Sequence, residues 1–310
     1  MTEFPFIHVS FAAADEATRL GWDGFVRDVF APITMYEVLT TPTSERLKLD
    51  RHQTLLAIGN TVVYAAAPAG GGLLPGSAVG TMLRSLAEQN AWIGIAIGVA
   101  DLEAARAWVR ARGWEPRSYP LLEDRYFLLD RAETLGMRLE FLCGALDNDP
   151  RLKPDWDPAW WRDEHPLGLE GLQSIGVSTK SLDQAREIFG QKLGWREIAS
   201  RVTDEANCVS FLIGDAVVEA MEPRDPHSAL GDHARHVRGI WSLTFQVRSA
   251  AAAAEYLRSK GLRLKGAPAG RFAIDPADAF GRLLWFTDMK VEGYPEIPIP
   301  HQVARYSTLD

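Results

Sequence analysis

Four times along the chain a short alternation of apolar with small or polar residues gives way to a stretch of helical period, which predicts four strand-then-helix units. In the first, Ile7, Val9 and Phe11 alternate with His8, Ser10 and Ala12, and Asp15 stands as N-cap for a helix toward Phe30. In the second, Ile93, Ile95 and Ile97 alternate with Gly94, Ala96 and Gly98. Asp101 then caps a helix through Leu102, Ala105 and Val109 that Gly113 is placed to stop. The third sets Ile175, Val177 and Thr179 against Ser174, Gly176 and Ser178. Ser181 and Gln184 follow at capping-box spacing, and the helix turns Leu182, Ala185, Ile188 and Phe189 inward before ending near Gly194. The fourth opposes Leu243, Phe245 and Val247 to Ser242, Thr244 and Gln246, with Ser249 before an alanine-rich helix that ends at Gly261.

Each leading strand therefore has one face of branched or aromatic residues, suited to packing under helices, and one of small or polar residues. The small faces either permit strong sheet curvature or line a cavity. Further repeats sharpen the pattern: GNTVVYAAAP from Gly59 matches GDAVVEAMEP from Gly214, and DRAETLGMRLEFL from Asp130 matches DPADAFGRLLWFT from Asp275. The second pair aligns Gly136 with Gly281 and Glu140 with Trp285. The expected division is a first domain over 1–145, a linker over 146–170, a second domain over 171–290 and a tail over 291–310. The linker contains PDWDPAWW, whose tryptophans are expected to pack across a domain surface. The stretch Gly70 to Gly80 reads as a turn or loop without a phosphate-cradling motif.

Composition narrows the function classes. Lys and Arg number 33 against 41 Asp and Glu, for a net charge of -8, and the basic residues are scattered, which disfavours nucleic-acid binding. The 2 cysteines, Cys143 and Cys208, fall in separate halves, so neither a thiolate metal centre nor a disulfide scaffold is expected. The N-terminus has no secretion-signal pattern and no segment reads as a membrane span, so the expected location is cytoplasmic. His227, His233 and His236 cluster in HSALGDHARH without the spacing of a helical zinc motif. They read as a solvated loop able to close over a substrate, with Arg235 or Arg238 attracting an acidic group.

GLQSIGVSTKSLDQAREIFGQKLGWRE over Gly171 to Glu197, the GDAVVEAMEP strand after it, and MRLEFLCG over Met137 to Gly144 together resemble the vicinal oxygen chelate superfamily. This group includes glyoxalases, bleomycin resistance proteins and extradiol ring-cleaving dioxygenases, and the layout is closest to the two-domain type I extradiol enzymes. The resemblance covers most of the chain and implies an α+β fold of four βαβββ modules paired into two open, barrel-like domains. It also implies ligand positions on paired strands: His8, Tyr64, Gly94 and Glu140 in the first half, and Ser174, Glu219, Ser242 and Trp285 in the second. Ser, Ser and Trp replace three of the usual donors, so conventional iron-dependent ring cleavage is not expected.

The expected activity is metal-independent proton transfer, isomerisation or lyase chemistry on a small organic molecule, with aromatic compounds among the candidates. His8, Tyr64 and Glu140, or Glu219 in the second half, are the candidate catalytic residues. The bland readings are an internal His8–Glu140 pair and a Glu219 at the cavity rim, paired with an arginine or exposed to water. Ser174, Ser242, Trp285, Trp241, Trp92 and His236 are the candidate substrate contacts. No cofactor is expected. The alternative is a divalent Fe, Mn or Zn ion, for which His8 and Glu140 are the fallback ligands. The competing functions are non-catalytic binding or sequestration, a metal-dependent dioxygenase with unconventional ligands, and a scaffold with closed cavities. No nucleic-acid or membrane partner is expected, and a homodimer is the possible assembly.

Overall fold

The computed structural model describes residues 6–38, 51–68, 85–89, 91–118, 124–143, 149–213, 216–290 and 293–294. The glycine-rich stretch from Gly70 to Gly80 and most of the expected tail lie outside them. The first module is β1 (Phe6–Ala12), α1 (Glu16–Phe30), β2 (Ile33–Val38), β3 (Arg51–Ile58) and β4 (Thr61–Pro68). The second is β5 (Trp92–Val99), α2 (Leu102–Arg110), β6 (Tyr126–Leu129) and β7 (Arg138–Cys143). Among the described residues it is shorter than the βαβββ expectation, with one bridge between Arg117 and Leu128 where a further strand is due after its helix. A short helix α3 (Ala159–Asp163) follows.

The third module is β8 (Leu169–Ser178), α4 (Leu182–Ala185), β9 (Arg196–Val202), β10 (Ala206–Ile213) and β11 (Ala216–Pro223). α5 (Ala229–His236) joins it to the fourth, which is β12 (Gly239–Val247), α6 (Ala250–Ser259), β13 (Leu264–Ala267), β14 (Arg271–Ile274) and β15 (Leu283–Thr287). The 7-stranded sheet runs β2-β3-β4-β1-β5-β7-β6, and the 8-stranded sheet runs β13-β14-β15-β12-β8-β11-β10-β9. In each sheet the leading strands of two modules pair antiparallel at the centre, β1 with β5 and β8 with β12. Each also pairs parallel with the last strand of its own module.

Local chemistry sets the helix starts. The side chains of Asp15, Asp101, Ser181 and Ser249 accept from the backbone N–H of Thr18, Ala104, Gln184 and Ala252 respectively, satisfying donors that a helix end leaves free. α4 continues as a wider π turn over Arg186–Lys192, which buries Ile188 and Phe189 side by side. α5 corrects the loop expectation for its histidines: Ser228 caps it through the N–H of Gly231, and Leu230, Gly231 and Ala234 are buried beneath it.

One continuous apolar core runs through both halves, under the faces that carry Val9, Phe11, Ile95, Ile97, Ile175, Val177, Leu243 and Phe245. Phe30, at the end of α1, lies 5.1 Å from the Phe245 ring and 6.2 Å from that of Phe286. Trp161 of the linker is buried and donates to Phe30 O at 2.8 Å, while Trp160 remains 40% exposed. Asn60, at the tip of the β3–β4 hairpin, accepts from Leu172 N at 2.8 Å and donates to Leu172 O at 3.3 Å, stitching that hairpin to β8.

A second clasp forms where Gly136 and Gly239 meet with φ of +85 and +87. A Cβ on Gly239 would stand 2.2 Å from Gly136 O, so neither turn admits a side chain. Arg131 donates to Gly136 O at 2.6 Å, Val237 O at 3.3 Å and Arg238 O at 3.2 Å, which fastens the contact.

Candidate functional site

The strand faces turned away from the common core, here the inner faces, carry the expected site residues in matching rows. In the first sheet one row reads Val62, His8, Ala96, Glu140, and the next reads Tyr64, Ser10, Gly94, Arg138. In the second sheet the rows are Val217, Ser174, Thr244, Trp285 and Glu219, Gly176, Ser242, Leu283. Each expected quartet thus occupies alternate places on two adjacent rows, with small residues at the centre. Gly94 is required there, since a Cβ would lie 1.9 Å from Arg138 O, whereas one on Gly176 would lie 2.5 Å from Ser242 Oγ, a side chain that would have to turn aside.

Only alanine separates His8 from Glu140 in their row, and His8 Nε2 lies 3.4 Å from Glu140 Oε2 and 3.4 Å from the Tyr64 hydroxyl. Arg138 Nε stands 3.7 Å from Glu140 Oε1. Burial favours a protonated Glu140, but the bond to His8 and the charges of Arg138, His8 and Arg51 outweigh it and bring its pKa down to about 2. Glu140 is therefore a carboxylate at any ordinary pH, able to accept and not to donate. His8 is 5% exposed, and its Nδ1 has no hydrogen-bond partner among the described residues.

The second half uses its carboxylate differently. Glu219, 2% exposed, receives Arg201 Nε and Nη2 at 2.8 Å each, a bidentate pair from β9. Tyr294 donates to Glu219 Oε1 at 3.1 Å and lies 2.8 Å from Ser210 Oγ, which is itself 3.4 Å from that oxygen. Burial and the Glu219 charge push the Tyr294 pKa up, so its hydroxyl keeps its proton. Glu219 is thus buried, not at a rim, and both of its oxygens meet Arg201. Arg201, Ser210 and Tyr294 were not anticipated from sequence: the first lies 18 positions from its partner and the last 75, and no short motif connects them.

The tryptophans part company. Trp285 is half-buried on the inner face with Arg271 4.3 Å over its ring. Trp241 also reaches that side, packing near Cys208, Met221 and Leu230, with the His233 ring 5.0 Å away. Trp92 corrects the expectation: it is 4% exposed in the common core, 5.9 Å from Phe11, with Arg282 over its ring. A bulge pairs Phe11 with Trp92 and Ser10 with Gly94, so Ile93 is the extra residue and joins Tyr64, Met35 and Leu55 on the inner side. His236 is exposed on the last turn of α5.

His233 bonds Ser178 Oγ through Nδ1 at 2.7 Å. Burial, then the charges of Arg131 and Arg282, lower its pKa to about 4. An unfolded chain binds this proton near pH 6.5, so stability is full above that pH and falls as pH drops toward 4. The loss approaches about 3 kcal/mol before solvent screening is discounted. Urea titrations at pH 7.5 and 4.5 are expected to show this loss in the wild type and a smaller one in His233→Asn. An equal loss in both would assign it to other groups.

The resemblance implied a metal at the quartets, and the donor chemistry does not fit one. Ser174, Ser242 and Trp285 supply no strong ligand, Glu219 is held by Arg201, and His8 and Glu140 bond each other. Among the described residues no group of three or more His, Cys, Asp and Glu could hold an ion. No helix of the described residues is long and apolar enough to cross a membrane.

Residues 173–275 match the family model of the Glyoxalase/Bleomycin resistance protein/Dioxygenase superfamily. A mutant 4-hydroxymandelate synthase from Streptomyces coelicolor is similar in fold over 98% of this chain and 99% of its own, with TM-score 0.66 and 13% identity. A methylmalonyl-CoA epimerase from Mycobacterium tuberculosis aligns over 38% of this chain and 87% of its own, with 25% identity and TM-score 0.35. No curated protein matches the chain.

Proposed function

We propose, for a chain whose residues 173–275 match the model of the Glyoxalase/Bleomycin resistance protein/Dioxygenase superfamily, that the first half moves a proton on a small organic molecule without a resident metal. The observation that carries this reading is the state of His8: one ring nitrogen faces Glu140 and Tyr64, and the other has no partner among the described residues. A carboxylate only accepts, so the network assigns the proton of a neutral His8 to Nε2 and the lone pair to Nδ1. Glu140 then orients the ring and stabilises the imidazolium that forms when Nδ1 takes a proton.

For a substrate with a C–H beside a carbonyl, that bond breaks and its proton passes to Nδ1. The electron pair moves into an enolate, and return of the proton to the same or a neighbouring carbon gives exchange or an isomer. The Tyr64 hydroxyl and the Arg138 cation flank the dyad and favour charge on the enolate oxygen. Glu219, neutralised by Arg201, takes no part in this proton transfer.

The test is deuterium incorporation from D2O into a panel of small CH-acidic carbonyl compounds, followed by NMR with a chelator present. Exchange is expected for at least one compound, and His8→Gln is expected to slow it at least about 100-fold while leaving the fold unchanged by circular dichroism. No exchange across the panel, exchange indifferent to His8→Gln, or exchange abolished by the chelator would each overturn the reading.

A further inference from the structure

Among the described residues on the inner face of the second sheet, Arg271 is a cation that its neighbours leave without an anion. Arg271 on β14 stands opposite Thr287, and its guanidinium lies over the Trp285 ring. It has no ion pair and no hydrogen bond from its guanidinium among the described residues. The groups near enough to act on its charge are Arg201, Glu219, Glu205 and Cys208. Of these, Glu219 is already paired with Arg201 through both oxygens, and Glu205 is exposed. The Arg201–Glu219 pair is neutral, and burial holds the Cys208 thiol up at about 12, so it too is neutral. The inner face therefore carries a net positive charge at Arg271.

The position of the guanidinium over the indole bears on what that charge can do. Its Cζ lies 4.3 Å from the Trp285 ring centroid, and a cation–π contact uses none of its N–H donors in a hydrogen bond, so they can meet a second partner. A carboxylate matches that donor fork in spacing and charge. Beyond it, Ser174, Thr244 and Ser242 present short side chains in the neighbouring rows, and Trp285 presents an apolar ring edge. That surface suits a small, largely apolar body attached to the anion.

We infer that the inner face of the second sheet is a binding site for a small organic carboxylate, held by Arg271 on its Trp285 platform. The site lies in the opposite half from His8 and does not depend on the proton-transfer reading.

Benzoate and its uncharged isostere benzamide are the probes, titrated into the full chain by isothermal calorimetry at low salt. Wild-type protein is expected to prefer benzoate by at least about tenfold, and Arg271→Gln to lose that preference. His8→Gln is expected to keep it, which separates failure of this site from failure of the His8 site. Equal affinity for the two probes, absence of benzoate binding, or a preference unchanged in Arg271→Gln would overturn the assignment. The wild-type comparison decides the matter on its own if Arg271→Gln does not fold.

Discussion

Arg201→Leu is expected to destabilise the protein by about 3–5 kcal/mol, because it leaves the Glu219 carboxylate buried with only two hydroxyl donors. The asymmetry between the partners is the reason. The Arg201 side chain is 33% exposed and can turn to solvent when Glu219 is changed, whereas Glu219 at 3% has no such exit. Glu219→Gln is accordingly expected to cost less than Arg201→Leu. The double variant Arg201→Leu with Glu219→Leu is expected to recover most of the loss, since an apolar pair of similar bulk removes the desolvated charge altogether. Denaturant titration checks all three through a lower midpoint at unchanged slope. A loss below about 1 kcal/mol for Arg201→Leu would show that the carboxylate reaches water and that the pair is a surface contact.

Phe30→Ala carries the other large effect, about 4 kcal/mol, by opening a cavity where α1 of the first half meets Phe245 and Phe286 of the second. Phe30 is 1% exposed, and its own carbonyl accepts the Trp161 indole N–H, so the loss falls on a three-way joint of first half, linker and second half. Tryptophan fluorescence and far-ultraviolet circular dichroism are expected to report one shared transition in the wild type, displaced together in the variant. If only fluorescence moves and the dichroism midpoint stays, the joint supports the linker alone.

The repeated fold was legible because period and capping agree: each leading strand alternates cleanly, and Asp15, Asp101, Ser181 and Ser249 each sit where a helix needs an acceptor. The places where the reading failed have identifiable causes. At Trp92 a single bulged residue, Ile93, inverts the faces, and strict alternation cannot register an inserted residue. In α5 eight residues are too few for a helical period to stand out, and the polar run HSALGDHARH reads as a loop although Leu230 and Ala234 face the buried side. The quartet positions followed from resemblance, and the closeness of His8 to Glu140 from the row they share. What no local pattern contained was partnership at long range: Arg201 and Tyr294 reach Glu219 from different strands and segments, and only the assembled sheet brings them together.

The Gly136–Gly239 clasp has a consequence for how such a duplicated chain diversifies. No methyl group fits at that junction, and Arg131 bonds both sides of it, so the two halves meet there backbone to backbone. Mechanical register is common property of the twin copies, while their inward-facing side chains are private. One half carries an imidazole beside an acid and the other serines, an indole and a cation, on strand frames of the same order.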